Sequence, residues 1–80
     1  MTDLEHRLRL VFVQTLELTD DVDVDTITYR AHPNWNSLGH MALVVGIEEE
    51  FGVELEPDHL IEMTSFAAAY QLLRRAGVNG

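Results

Sequence analysis

From Ser37 to Phe51 the chain contains no proline, carries helix-compatible apolar residues and stops at Gly52, and this stretch most narrows what the rest can become. Asn36 stands just before it. Its side-chain oxygen can accept a bond from a backbone N–H one turn further on, which fixes where a helix begins. Gly52 suits the left-handed conformation that ends one, and Pro33 belongs to a loop ahead of the cap. The pattern predicts a helix over Ser37–Phe51 with Ser37 in its first turn and the hydroxyl towards solvent. Aligned peptide dipoles leave partial positive charge at that end, so a phosphate esterified there is favoured.

This helix is apolar on two sides. Leu43, Val44, Ile47 and Phe51 share one face and are expected in the core. Leu38, Met41 and Val45 form a second stripe directly downstream of the serine, either packed within the fold or lent to a partner. Glu48-Glu49-Glu50 closes the helix where its dipole disfavours negative charge by roughly 0.3–1 kcal/mol per residue. Helix stability does not explain these residues, so they read either as a solvated charge run or as an acidic rim around the apolar stripe.

The remaining chain reads as helix and ordered loop. Thr2-Asp3-Leu4-Glu5 has the capping-box pattern, and Leu4, Leu8, Val11, Phe12 and Leu16 then recur at helical spacing. Glu17 to Asn36 is expected as a long ordered loop pinned by Leu18, Val22, Val24 and Ile27, with Trp35 packing it onto the bundle. Asp21-x-Asp23-x-Asp25 begins like a calcium loop. The sixth position is Thr26 instead of glycine, however, and the twelfth is His32 instead of glutamate, so a solvated acidic loop is the reading. Pro57-Asp58-His59-Leu60-Ile61 suits a short helix with proline in its first turn. Ser65 can cap a last helix with Phe66, Ala69, Tyr70, Leu73 and Ala76 as its buried stripe, while Arg74 and Arg75 complement the dipole ahead of Gly77. The expectation is one all-α domain over residues 1–80, a small helical bundle of three longer helices and one short one.

Charge and composition narrow the function. Fourteen Asp and Glu stand against 5 arginines and no lysine, a net charge of −9, which repels nucleic acid and anionic lipid and favours brief encounters with basic protein patches. There is no cysteine, hence no disulfide and no thiolate metal site. Apolar runs are too short to span a bilayer, and the reading is a cytoplasmic monomer. A hydrolase elbow around Ser37 needs glycine two residues away on both sides; Gly39 fits and Trp35 does not. His6, His32, His40 and His59 lack paired metal-ligand spacing, and His40 is expected as an exposed histidine near Ser37. No catalysis is expected of this chain alone.

Asn36-Ser37-Leu38 at the head of a second helix, with the order and spacing of the other segments, resembles the acyl carrier protein family over essentially all of the chain. The family's motif is Asp-Ser-Leu, so Asn36 keeps the capping shape and lacks one negative charge. The resemblance implies a four-helix bundle and 4′-phosphopantetheine, transferred from coenzyme A to Ser37 by a phosphopantetheinyl transferase, carrying acyl groups as thioesters. It implies that Asn36, Leu38, Met41, Val45, Glu48, Glu49 and Asp58 meet the transferase and the acyl-loading and acyl-processing enzymes. The wording around Ser37 is closer to carriers of polyketide or mixed polyketide and peptide pathways than to those of fatty-acid synthesis. An unmodified helical adaptor is the alternative from another class.

Overall fold

The computed structural model describes residues 3–78. Thr2, the expected cap of the first helix, lies outside them. Among the described residues four helices form, α1 (Asp3–Thr15), α2 (Ser37–Phe51), α3 (Pro57–Glu62) and α4 (Phe66–Arg75), with a 3-10 turn at Val24–Thr26 between α1 and α2. Among the described residues there is no strand, only one isolated bridge between Thr28 and Ser65. The predicted all-α class is the one observed.

Each helix boundary has a local cause. Asn36 caps α2 by accepting from the Gly39 N–H at 2.9 Å, and Gly52 ends it with φ 65° and ψ 35°. Pro57 opens α3, where the His59 Nδ1 accepts from the Glu56 N–H at 3.0 Å, and Ser65 caps α4 by accepting from the Ala68 N–H at 3.1 Å. The end of α1 is less comfortable. The Leu18 N–H reaches back to the Val13 carbonyl at 3.0 Å, which puts Glu17 at φ 52° where glycine is the usual occupant. Glu17→Gly is expected to raise stability by about 0.5–1 kcal/mol, the relief of left-handed strain less the backbone entropy glycine loses. A urea midpoint that falls instead would show the Glu17 side chain to be a net contributor.

α1 and α2 run antiparallel, because the start of α1 meets the end of α2. The Arg7 Nε donates to Glu50 Oε2 at 2.8 Å, and its guanidinium lies 4.7 Å from the centroid of the Phe51 ring. Phe51 is therefore only half-buried under that guanidinium, not sunk in the core as its spacing suggested. Phe12 of α1 is the centre of the interior, edge-on to Trp35 at 5.3 Å and to Phe66 of α4 at 5.4 Å. Leu4, Leu8, Val11, Leu16, Leu43, Val44 and Ile47 complete it from α1 and α2, and Met63 enters from the α3–α4 link. In α4 the buried stripe is Phe66, Ala69, Leu72 and Leu73. Tyr70 is half-buried and Ala76 is exposed, contrary to the spacing argument. Ala76 is already the cap residue that turns away from the bundle, and Leu72 takes the place beside Leu73 that the stripe had left open.

The long loop is bound down along its length. Leu18 and Val24 are buried, Val22 and Ile27 half-buried. Its aspartates hold the loop in place: Asp23 accepts from the Asp25 N–H at 3.0 Å to start the 3-10 turn, and Asp25 pairs with Arg9 of α1 at 3.0 Å. At its far end the Tyr29 N–H donates to the Thr64 carbonyl at 2.9 Å, beside the Thr28–Ser65 bridge. The Cα radius of gyration, 11.5 Å, is that of a compact domain of this length, about 11.6 Å, so the loop wraps the bundle instead of projecting from it.

Candidate functional site

Ser37 is the first residue of α2 and its side chain is exposed. What holds it there is the turn before it. The Trp35 N–H donates to the His32 carbonyl at 3.0 Å, the Arg30 N–H donates to the Trp35 carbonyl at 2.8 Å, and the Asn34 Nδ2 donates to the Leu16 carbonyl at 3.0 Å. Between these anchors the Trp35 indole points inwards and is fully buried. A fully buried ring two residues before the serine fixes where its hydroxyl lies.

His40, expected at the surface, is buried at 7% exposure. Its Nδ1 accepts from the Trp35 Nε1–H at 3.0 Å and its Nε2 lies 2.9 Å from the Leu60 carbonyl oxygen. An indole N–H only donates and a carbonyl only accepts, so the pair fixes the ring in the tautomer with hydrogen on Nε2. His40 therefore ties the loop, α2 and α3 together. The signal was present in the sequence: His40 falls on the helical face of Leu43, Val44 and Ile47, and residue type was given more weight than position.

Two residues that sequence reasoning did not nominate stand over the serine. The Tyr29 Oη lies 3.3 Å from Ser37 Oγ, with the Tyr29 ring 4.6 Å from the His40 ring. The Ser37 hydroxyl and, after it, the Arg30 guanidinium draw the Tyr29 phenol below its ordinary pKa. Arg30 has φ 70° and is exposed. Ser37 opens onto a shallow depression of about 490 Å³ walled by Arg30, Ala31, His32, Pro33, Asn36 and Leu38.

The second apolar stripe is on the surface: Leu38 is 84% exposed, and Met41 and Val45 are about half exposed. Ile61 of α3, which sequence reasoning had not singled out for a surface, is 74% exposed. The three glutamates part company. Glu48 is half-buried and accepts from the Leu55 N–H at 2.9 Å, which holds the segment after Gly52, and Glu50 is occupied by Arg7. Glu49 is exposed, one turn past Val45 on the same side of α2. Asp58 lies with His59, Glu62 and Arg75 in a depression between α3 and α4. Of the expected acidic border, Glu49 directly continues the stripe, whereas Glu48 has a structural partner.

Among the described residues no group of three or more His, Cys, Asp or Glu side chains gathers as a metal site, and no helix is long and apolar enough to cross a membrane. No protein-family model matches the chain, and no solved structure matches it.

Proposed function

We propose that the chain is an acyl carrier: Ser37 receives 4′-phosphopantetheine, and the apolar strip Leu38, Met41 and Val45 is where partner enzymes dock. The observation that carries this reading is the exposed Ser37 hydroxyl at the head of α2, beside a depression and rigidly set by buried Trp35. The surroundings fit the group. The phosphodiester would sit at a helix start, where it is favoured, and Arg30 beside it has no carboxylate partner among the described residues.

In the attachment step Ser37 Oγ bonds to the phosphorus that carries pantetheine in coenzyme A. The diphosphate bond breaks, adenosine 3′,5′-bisphosphate leaves, and the hydroxyl proton passes to a base of the transferase. When bound, the group supplies a terminal thiol on which acyl chains ride as thioesters. The chain itself presents and does not transform. Tethering replaces a diffusive encounter with a local one at high effective concentration, and an acidic surface brings basic partners in quickly.

Intact mass measured after incubation with coenzyme A and a promiscuous transferase tests this. A gain of one phosphopantetheine, abolished in Ser37→Ala, is expected. At low salt Asn36→Asp should be modified faster, because it restores a charge that a basic transferase can meet. No gain in either the natural chain or Asn36→Asp would leave an unmodified helical adaptor as the better account.

A further inference from the structure

The geometry points to Tyr29 and Arg30 as a phosphate clamp for the group carried on Ser37: Tyr29 positions the free hydroxyl, and both side chains donate to the phosphodiester once it forms. The inference rests on the carrier reading and adds to it two residues and their roles.

Charge makes the case. In a chain of net charge −9, the depression beside Ser37 has no carboxylate in its wall, and Arg30 and His32 are both part of it. Like Arg74 and unlike the other three arginines, Arg30 has no carboxylate partner among the described residues, and it alone of the five lines the depression at Ser37. Arg7 is held by Glu50, Arg9 by Glu5 and Asp25, Arg75 by Glu62, and Arg74 donates to the Tyr70 hydroxyl at 3.1 Å. Arg30 forms no ion pair among the described residues and instead lies beside the phenol that touches Ser37. A guanidinium left without a carboxylate in so acidic a chain is a donor set open to an anion, and it matches a phosphate's oxygens in shape.

Preorganisation adds to this. The backbone N–H groups of Tyr29 and Arg30 are tied down, to the Thr64 and Trp35 carbonyls, while the Tyr29 ring rests on His40. The Tyr29 hydroxyl therefore stands in place before the phosphate arrives, and the exposed Arg30 side chain closes from a fixed backbone position.

The test uses the modified protein and its phosphorus resonance, with the same protein unfolded in urea as the reference for an uncontacted diester. Arg30→Gly removes the guanidinium and suits the left-handed backbone at that position, so it is expected to fold; Tyr29→Phe keeps the ring and loses only the hydroxyl. All should gain the phosphopantetheine mass, while Ser37→Ala should not. The folded natural chain should show a displaced resonance, Arg30→Gly should lose most of that displacement, Tyr29→Phe part of it, and Arg30→Lys should retain a share that shrinks as salt is raised. A normal mass gain with the resonance unmoved between folded and unfolded protein, or unchanged in Arg30→Gly, overturns the clamp and leaves the carrier reading standing. No mass gain in the natural chain removes both.

Discussion

Trp35→Ala is expected to lower the free energy of unfolding by about 3–5 kcal/mol. A domain of this length holds roughly 4–12 kcal/mol in total, so the loss takes from about a quarter to all of it. Several losses coincide. The indole is fully buried, it meets Phe12 edge-on at 5.3 Å, and its N–H is the donor that His40 Nδ1 accepts. Truncation opens a cavity under the loop and also leaves a ring nitrogen of a buried histidine without its partner. Trp35→Phe separates the two effects, since it keeps an aromatic ring and discards the N–H; about 1–3 kcal/mol is expected from the unmet nitrogen and imperfect filling. Urea unfolding followed by far-ultraviolet circular dichroism measures both. A loss under about 1 kcal/mol for Trp35→Ala would mean that the loop contributes little to stability, and that the placement of Ser37 has another cause.

Gly39→Ala should destabilise by about 1–3 kcal/mol, although general helix propensity predicts a gain of about 1 kcal/mol. The reason is a close approach of backbones. A Cβ at Gly39 would lie 2.2 Å from the Asn34 carbonyl oxygen and 3.1 Å from Leu16 Cδ2. The oxygen cannot swing aside as a side chain would, because the Asn34 side chain is bonded to the Leu16 carbonyl and its neighbour Trp35 is buried. Gly46→Ala is the control in the same helix. There the new Cβ meets only the ends of Thr15 and Val11 side chains, at 3.2 and 3.3 Å, so the propensity gain and the small adjustment should nearly cancel. At about 4–8 °C per kcal/mol for a domain of this size, melting temperature separates the two variants plainly. A higher melting temperature for Gly39→Ala would show that the turn before Ser37 yields freely. It would also weaken the view that the serine is rigidly presented.

The helix limits and most of the core were legible without coordinates. Asn36, Gly52, Pro57 and Ser65 act on backbone groups within a turn of themselves, and the stripes of α1 and α2 follow from a fixed helical period. The same period set Leu38, Met41 and Val45 apart as a second stripe, but whether it is packed or exposed was open until the fold left it on the surface. Ala76 was misread because the stripe was extended past the point where the helix stops.

The surroundings of Ser37 were a matter for the tertiary structure. Tyr29 reaches Ser37 across 8 positions, His40 reaches the Leu60 carbonyl across 20, and Arg7 takes Glu50 across 43. Such pairs form only after helices and loop have settled against one another, and the decisive quantity is distance in space, on which the order of residues is silent. By itself, the sequence determined both ends of α2 and the starts of α3 and α4, together with the apolar stripes, since those choices are made by contacts within a single turn. Only the packed fold decided which polar side chains meet, which arginines find a carboxylate, and which glycine has no room for a methyl group.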